Sequence, residues 1–315
     1  MKKYNMQSSI DQICVEFAYM MLLNREVESN EVLLEQSKQE KTISELIDGT
    51  KDSAEYRLKN DEFNRAINLY IKVQSQNNTE ISGISDEVNN CITVIQSSDS
   101  NKYREILNIS KSFNIRYVKQ YKLNYHYFFG IKKGKYAHHA MYNRIYMLDE
   151  MIKNNYRGWV FYLDADSIIV DKNFDLREKL LALRSNHKIM WLHNVHQKNE
   201  VNYNWWNVNS GAFAIDLSSS IARNLVKTWR GIYDNFYSEL DFADATQWND
   251  IINDQDSLWR VLDIFNLENK VELEQLQKNF VQQALRSQHD GISSEEEMQD
   301  RMHKLKELGE RIYNS

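Results

Sequence analysis

The chain of 315 residues contains no proline and only nine glycines. Turns therefore fall to Asn, Asp, Ser and those few glycines. Cysteine is nearly absent too: Cys14 and Cys91 lie far apart, which excludes metal-type cysteine spacing. Both sit in apolar segments, so buried thiols in a reducing compartment are expected. No run reaches the ~18 continuous apolar residues that a bilayer span requires. The run from Phe17 to Leu23 is too short, is flanked by Glu16 and Arg25, and lacks the cleavage chemistry of a signal peptide. Positive charge is not in excess either. A net charge of -6 excludes a sequence-independent grip on nucleic acid as the main role. These absences describe a cytoplasmic protein without a transmembrane segment, and they leave peripheral association with an inner membrane open. What is present, 42% hydrophobic and 12% aromatic residues, suffices for one large domain or a mid-sized domain with a small companion.

The stretch from Gly158 to Asp171 organises the rest. An apolar and aromatic run reads as a buried strand, and it ends in Asp164-Ala165-Asp166. Alternation along a strand aims Asp164 and Asp166 the same way and Ala165 the other. Two like charges there need a cation. Oxygen donors of this kind suit Mg²⁺ or Mn²⁺, ions that also hold substrate phosphates.

Residues 1–75 read as a helical accessory domain. Ser9 and Gln12 have capping-box spacing, as do Thr42 and Glu45, and a last helix carries Tyr56, Phe63, Ile67, Tyr70 and Ile71. Polar residues 76–90 form a linker. A strand at Cys91–Ile95, a helix capped from Ser97 to Asn101 and a second strand at Ile115–Val118 open a parallel α/β sheet, followed by an apolar run at Tyr127–Gly130. Ligands on such sheets bind beyond the carboxyl ends of the strands, which places Ser97, Ser98 and Asp99 at a site. After Lys132–Lys135, a helix over 138–154 buries Met141, Ile145 and Leu148, with Arg144 off that stripe and near enough to the N-terminus to help hold an anion. Beyond Asp171 come a leucine-rich helix from Leu176 to Leu183 and a strand at Lys188–Leu192, then His193 and His196. Asn209-Ser210-Gly211 reads as a tight polar turn into the next strand. Asn253-Asp254-Gln255-Asp256 opens a helix with more acid than a cap needs. Residues 91–275 thus form the main domain, and 276–315 a charged helical extension.

Taken together, the apolar strand with Asp-x-Asp, the later Asn-Ser-Gly-Ala-Phe and the Asp-Gln-Asp helix start are similar to the GT-A class of nucleotide-sugar glycosyltransferases. Within it the chain resembles the retaining galactosyl/xylosyltransferase family of fungal mannan and plant xyloglucan synthesis and its bacterial relatives. Ser98-Asp99, Tyr103 and Tyr142-Asn143-Arg144-Ile145 add to that likeness, which runs from about Cys91 to Phe265. The N-terminal segment resembles a small bacterial helical domain of unknown function, a docking element for a partner or a second copy.

The resemblance implies a Rossmann-like, mostly parallel sheet flanked by helices, and transfer of a hexose or pentose from a nucleoside diphosphate sugar, UDP-linked for preference, with retention. The acceptor would be a glycan, a lipid-linked sugar or a protein. It makes Asp164 and Asp166 metal ligands around a Mn²⁺ or Mg²⁺ that bridges the donor diphosphate, with Ala165 between them. Ser97, Ser98, Asp99 and Tyr103 would lie near the nucleoside, and Asn209, Ser210 and Gly211 at the sugar. Gln255 and Asp256 would stand near the reacting carbon, with Asp256 as a covalent nucleophile the alternative to front-face attack. Arg144 would meet a phosphate or position the metal-binding carboxylates, and Arg286 would stand close to the substrate. The third metal ligand would be His289, with His193 or His196 as alternatives. Tyr203, Trp205 and Trp206 would suit an acceptor-stacking surface. Two rivals stand beside this reading: a haloacid-dehalogenase-type phosphatase, with Asp164 as nucleophile and Asp166 as general acid, and a non-catalytic sugar-binding or scaffolding protein.

Overall fold

The computed structural model describes residues 54–76, 91–194, 204–248, 250–284 and 295–314. The chain divides into two compact units, residues 1–70 and residues 71–315. Helix α1 (Ala54–Gln76) spans that division and buries Ile67 and Ile71. The expected earlier helices, from Ser9 and from Thr42, and Cys14, lie outside the described residues. Among the described residues no helix is long and apolar enough to cross a membrane.

The second unit is a mixed α/β fold with a mostly parallel sheet between helices. Its strands are β1 (Ile92–Ser98), β2 (Asn124–Phe129), β3 (Trp159–Asp164), β5 (Met190–Asn194), β6 (Val208–Asp216) and β7 (Val271–Glu274), in the order β2-β1-β3-β6-β5-β7. β1 pairs parallel with β2 and β3, and β5 with β7, while β6 runs antiparallel to both its neighbours. Five strands therefore end at one edge, and reversed β6 begins there. A two-stranded antiparallel sheet joins β4 (Ser167–Ile169) to β8 (Val281–Gln283).

The central strands are buried on both faces, which is why they read as continuous apolar runs. Trp159, Phe161 and Leu163 of β3 face α2 (Arg104–Gln120) and α4 (Leu176–Ser185), in one core with Tyr117, Leu176, Leu180 and Phe280. Asp175 caps α4 by accepting from the amides of Arg177 and Glu178. On the opposite face lie α3 (Asn143–Lys153), α5 (Ser220–Phe236) and α7 (Asp254–Phe265), with Phe213 of β6 packed at 6.3 Å against Trp229 of α5. A short helix, α6 (Glu239–Asp244), follows α5, and α8 (Leu276–Asn279) precedes β8. The last helix, α9 (Glu295–Tyr313), packs on α2, where Gly309 lets the ring of Phe113 approach.

Two expectations are corrected. The segment Ile115–Val118 is not a strand but the last part of α2. Phe113 and Tyr117 recur four residues apart with Ile106, Leu107, Ser110 and Asn114 on the buried face, and that helical period outweighs the strand preference of Ile115 and Val118. The second strand is instead Asn124–Phe129. Cys91, just before β1, is half-buried rather than buried.

Candidate active site

Asp164 closes β3, and Asp166 follows in a turn that leads into β4. Strand alternation therefore stops at Asp164, and the turn, not the pleat, sets the direction of Asp166. Four consecutive carbonyls of this segment are satisfied. Gln96 Nε2 donates to the oxygen of Asp164 (2.9 Å), Ser110 Oγ to Ala165 (2.5 Å), the Ala284 amide to Asp166 (3.1 Å) and Asn114 Nδ2 to Ser167 (2.9 Å). Asn114 Oδ1 also accepts from the Ile169 amide at 2.9 Å. Gln96, Ser110 and Asn114 are fully buried, so β1 and α2 hold the turn through a satisfied polar network.

Arg144 anchors the Asp164 carboxylate. Its Nη2 donates to Asp164 Oδ1 (2.7 Å), and Nη1 lies 3.1 Å from Asp254 Oδ2 and 2.5 Å from the oxygen of Ser210. Its Nε donates to the Met141 oxygen (3.1 Å), and its guanidinium stands 4.5 Å from the Tyr162 ring centre. Tyr162 OH and Gln283 Nε2 complete the bonds to Asp164, at 2.9 and 3.2 Å. The arginine is buried, where an exposed anion-holding residue was one expectation. The reason is local: a 3-10 turn over Ala137–Tyr142 delays α3 until Asn143, so Arg144 falls in its first turn, facing the end of β3. Burial raises the Asp164 pKa, Arg144 opposes that and Asp166 adds to it; the result stays above the ordinary carboxylate value. Burial likewise raises Asp254 against the pull of Arg144. Arg144 itself is disfavoured by burial, yet Asp164 and Asp254 more than reverse this and its pKa is raised.

Asp166 accepts from Arg301 Nη2 at 2.6 Å. Arg301 stands on α9 and also donates to Tyr103 OH (3.0 Å) and the Ala284 oxygen (2.8 Å). Both aspartates line a cleft of roughly 320 Å³, together with Ser97, Ser98, Asp99, Tyr103, Arg144 and Arg301. Ala165 lines it as well, and His138 and Trp248 form part of its wall. Ser97 Oγ is buried there with no hydrogen-bond partner among the described residues. Asp99 is committed to structure: its carboxylate accepts from the amides of Asn101, Lys102 and Tyr103, at 2.8, 2.6 and 2.9 Å.

Asn209-Ser210-Gly211 is not a turn before the strand. The three residues lie inside β6, at a register shift opposite Leu192 and His193. This bulge brings Gly211 against the site, so that a Cβ there would sit 2.3 Å from Gln283 Nε2 and 2.6 Å from Asp164 Oδ2. Asn209 Oδ1 accepts from the Gly211 amide (2.6 Å), Gln255 Oε1 accepts from the Ser210 amide (3.1 Å), and Ser210 Oγ donates to Asp254 Oδ2 (2.9 Å). Asp254, not Asp256, is the acid that α7 turns inward, in phase with buried Ser257, Leu258 and Val261. Asp256 is exposed, bonded to Asn253 Nδ2 at 2.9 Å, and does not line the cleft. His193 is buried at the end of β5, away from the cleft lining, and Trp205 is buried rather than displayed for stacking. Arg286, His289, His196 and Tyr203 lie outside the described residues. Among the described residues no three His, Cys, Asp or Glu side chains gather as a metal site.

Sequence reasoning missed Asp254, Gln283 and Arg301. A signal existed for the last: Met298, Arg301, Leu305 and Gly309 recur at helical spacing, which places the arginine on the buried stripe of α9. The donor set fits a divalent cation. Among the described residues three carboxylates, Asp164, Asp166 and Asp254, face two guanidiniums, Arg144 and Arg301. Carboxylate oxygens such as those of Asp164 and Asp166 are what Mg²⁺ or Mn²⁺ uses when phosphates and water complete its shell.

No protein-family model matches the sequence, and no curated protein does. Among solved structures, the chain is similar to a glycosyltransferase involved in glycosylation of the major capsid of PBCV-1, with 12% identity and a TM-score of 0.48 over 68% of this chain and 98% of that one. It is also similar to a putative glucose-1-phosphate thymidylyltransferase from Bacillus anthracis, with 7% identity and a TM-score of 0.34 over 69% and 96%.

Proposed function

We propose that the protein is a metal-dependent glycosyltransferase of the GT-A type, moving a hexose or pentose from a nucleoside diphosphate sugar, UDP-linked for preference, to a glycan, lipid-linked or protein acceptor. One observation carries this: Asp164 and Asp166 share a cleft at the carboxyl ends of β1 and β3, where among the described residues they and Asp254 face two guanidiniums. Asp164 and Asp166 would hold Mn²⁺ or Mg²⁺, which when bound supplies Lewis-acid stabilisation to a departing diphosphate.

The chain's own residues prepare that site. Arg144 fixes Asp164 and, through Asp254, the bulged start of β6. Ser97, whose hydroxyl has no partner among the described residues, and Tyr103 line the end expected to take the nucleoside. The Asn209–Gly211 bulge, braced by Gln255, stands outside the cleft lining but with Gly211 beside the Asp164 carboxylate, where it would meet the sugar. Retention is part of this proposal and is assigned to front-face attack, because Asp256 is exposed and bonded to Asn253. The test is release of nucleoside diphosphate from a panel of nucleotide sugars, with and without Mn²⁺. Metal-dependent release from one donor, lost in Asp166→Ala, is the expected result. Hydrolysis of p-nitrophenyl phosphate with no nucleotide binding would replace this reading with the phosphatase, and binding without release in the presence of acceptors would replace it with the scaffold.

A further inference from the structure

Arg301 is the charged member of the buried stripe of α9. Of its five N–H donors, Nε–H goes to the Ala284 oxygen, the Nη1 pair to Tyr103 OH and, at 3.9 Å, Met298 Sδ, and one Nη2 hydrogen to Asp166. One Nη2 hydrogen remains without an acceptor among the described residues, on a side chain that is 4% exposed and lines the cleft. Asp166 is its ion-pair partner among the described residues. Arg144 differs in having two carboxylates, so it keeps one when a cation engages the other. Arg301 has no such reserve among the described residues. A divalent cation on Asp166 would place two positive centres on one carboxylate, and a buried guanidinium deprived of its partner is costly. A diphosphate relieves both difficulties, because its oxygens can meet the cation and the planar guanidinium fork together.

We propose that Arg301 couples cation and nucleotide binding. It holds Asp166 in the empty site, opposes a divalent cation arriving alone, and clamps the diphosphate once both ligands are present. The two ligands then bind with positive cooperativity, and α9 is part of the site rather than an appendage. This rests on the nucleotide-sugar reading of the cleft.

Titration calorimetry on the full chain tests it, with Mn²⁺ alone and with UDP or UMP in the presence of Mn²⁺, for wild type, Arg301→Met and Arg301→Lys. In Arg301→Met the expected results are Mn²⁺ binding alone about threefold to tenfold tighter, UDP at least about tenfold weaker, and UMP changed less than about threefold. Arg301→Lys should lie between, since it keeps the charge without the fork. Weaker or unchanged binding of Mn²⁺ alone, or equal weakening of UDP and UMP, would show a merely structural arginine and overturn the proposal. Should circular dichroism show Arg301→Met unfolded, the lysine variant decides: a ratio of UDP to UMP affinity equal to wild type overturns it. Failure of the underlying reading looks different, because the wild-type protein itself would then bind none of UDP, GDP and TDP.

Discussion

Arg144 shows how much of the site depends on one side chain. It is buried between two carboxylates whose pKa values burial has already raised. Arg144→Met would leave Asp164 and Asp254 without their counterion, which should cost about 3–5 kcal/mol of stability in urea unfolding at neutral pH. The pH dependence has a definite sign. A carboxylate with a raised folded pKa penalises the fold when ionised, and that penalty fades as pH falls and the group protonates. The deficit of Arg144→Met should therefore shrink on acidification, and a deficit independent of pH would refute the pairing. His139 has the opposite sign. Its Nδ1 accepts from the amides of Lys135 (2.9 Å) and Tyr136 (3.3 Å), which requires the neutral ring. Burial first, and His138 second, lower its pKa from 6.5 to about 4. Its contribution is therefore present above the unfolded value and is lost as pH falls from about 6.5 toward about 4, roughly 3 kcal/mol in all. Unfolding curves across that range should be flatter for His139→Gln than for wild type.

Elements explain both what the sequence disclosed and what it concealed. The strand ending in Asp164, the helix from Leu176 and the helix opening at Asp254 were legible because burial is written in their periods. Ile115–Val118 was misread because β-branched residues look like strand when the helical neighbours Phe113 and Asn114 are left out of the window. Asn209–Gly211 was misread because a bulge inside a strand has the composition of a turn, and only the pairing with β5 separates the two. Gln283 could not be found at all: β8 is three residues long and is defined by its partner β4. The contact of α9 with α2 was equally silent, although Gly309 marks it. A Cβ at Gly309 would fall 2.3 Å from ring carbons of Phe113. Gly309→Ala should lower stability by about 1–3 kcal/mol through overpacking, and by displacing α9 it should weaken diphosphate binding as well. Phe113→Leu in the same chain should recover part of both losses. Strictly additive losses in the double-mutant cycle would show that the two residues do not meet in this way.

At the scale of the whole molecule, the site is where the topology puts a gap. Five strands end at one edge, β6 alone begins there, and the cleft opens beside that reversal. No single element supplies the charge balance: β3 and the turn after it give Asp164 and Asp166, α3 gives Arg144, α7 gives Asp254 and α9 gives Arg301. Such a site cannot form in the unfolded chain, so ligand binding must appear as global stability. With UDP and Mn²⁺ present so that the nucleotide is about 100-fold above its Kd, the linkage relation gives about 2.7 kcal/mol. For a cooperative unit the size of residues 71–315, that is a rise in Tm of roughly 5–10 °C. Mn²⁺ alone should give much less than this, because Arg301 opposes it, and UDP alone should also fall short. The combined shift should vanish in Asp166→Asn, whose neutral amide pairs weakly with cation and guanidinium alike. An equal shift from Mn²⁺ alone, or a full shift surviving in Asp166→Asn, would place the bound ligand somewhere other than this cleft.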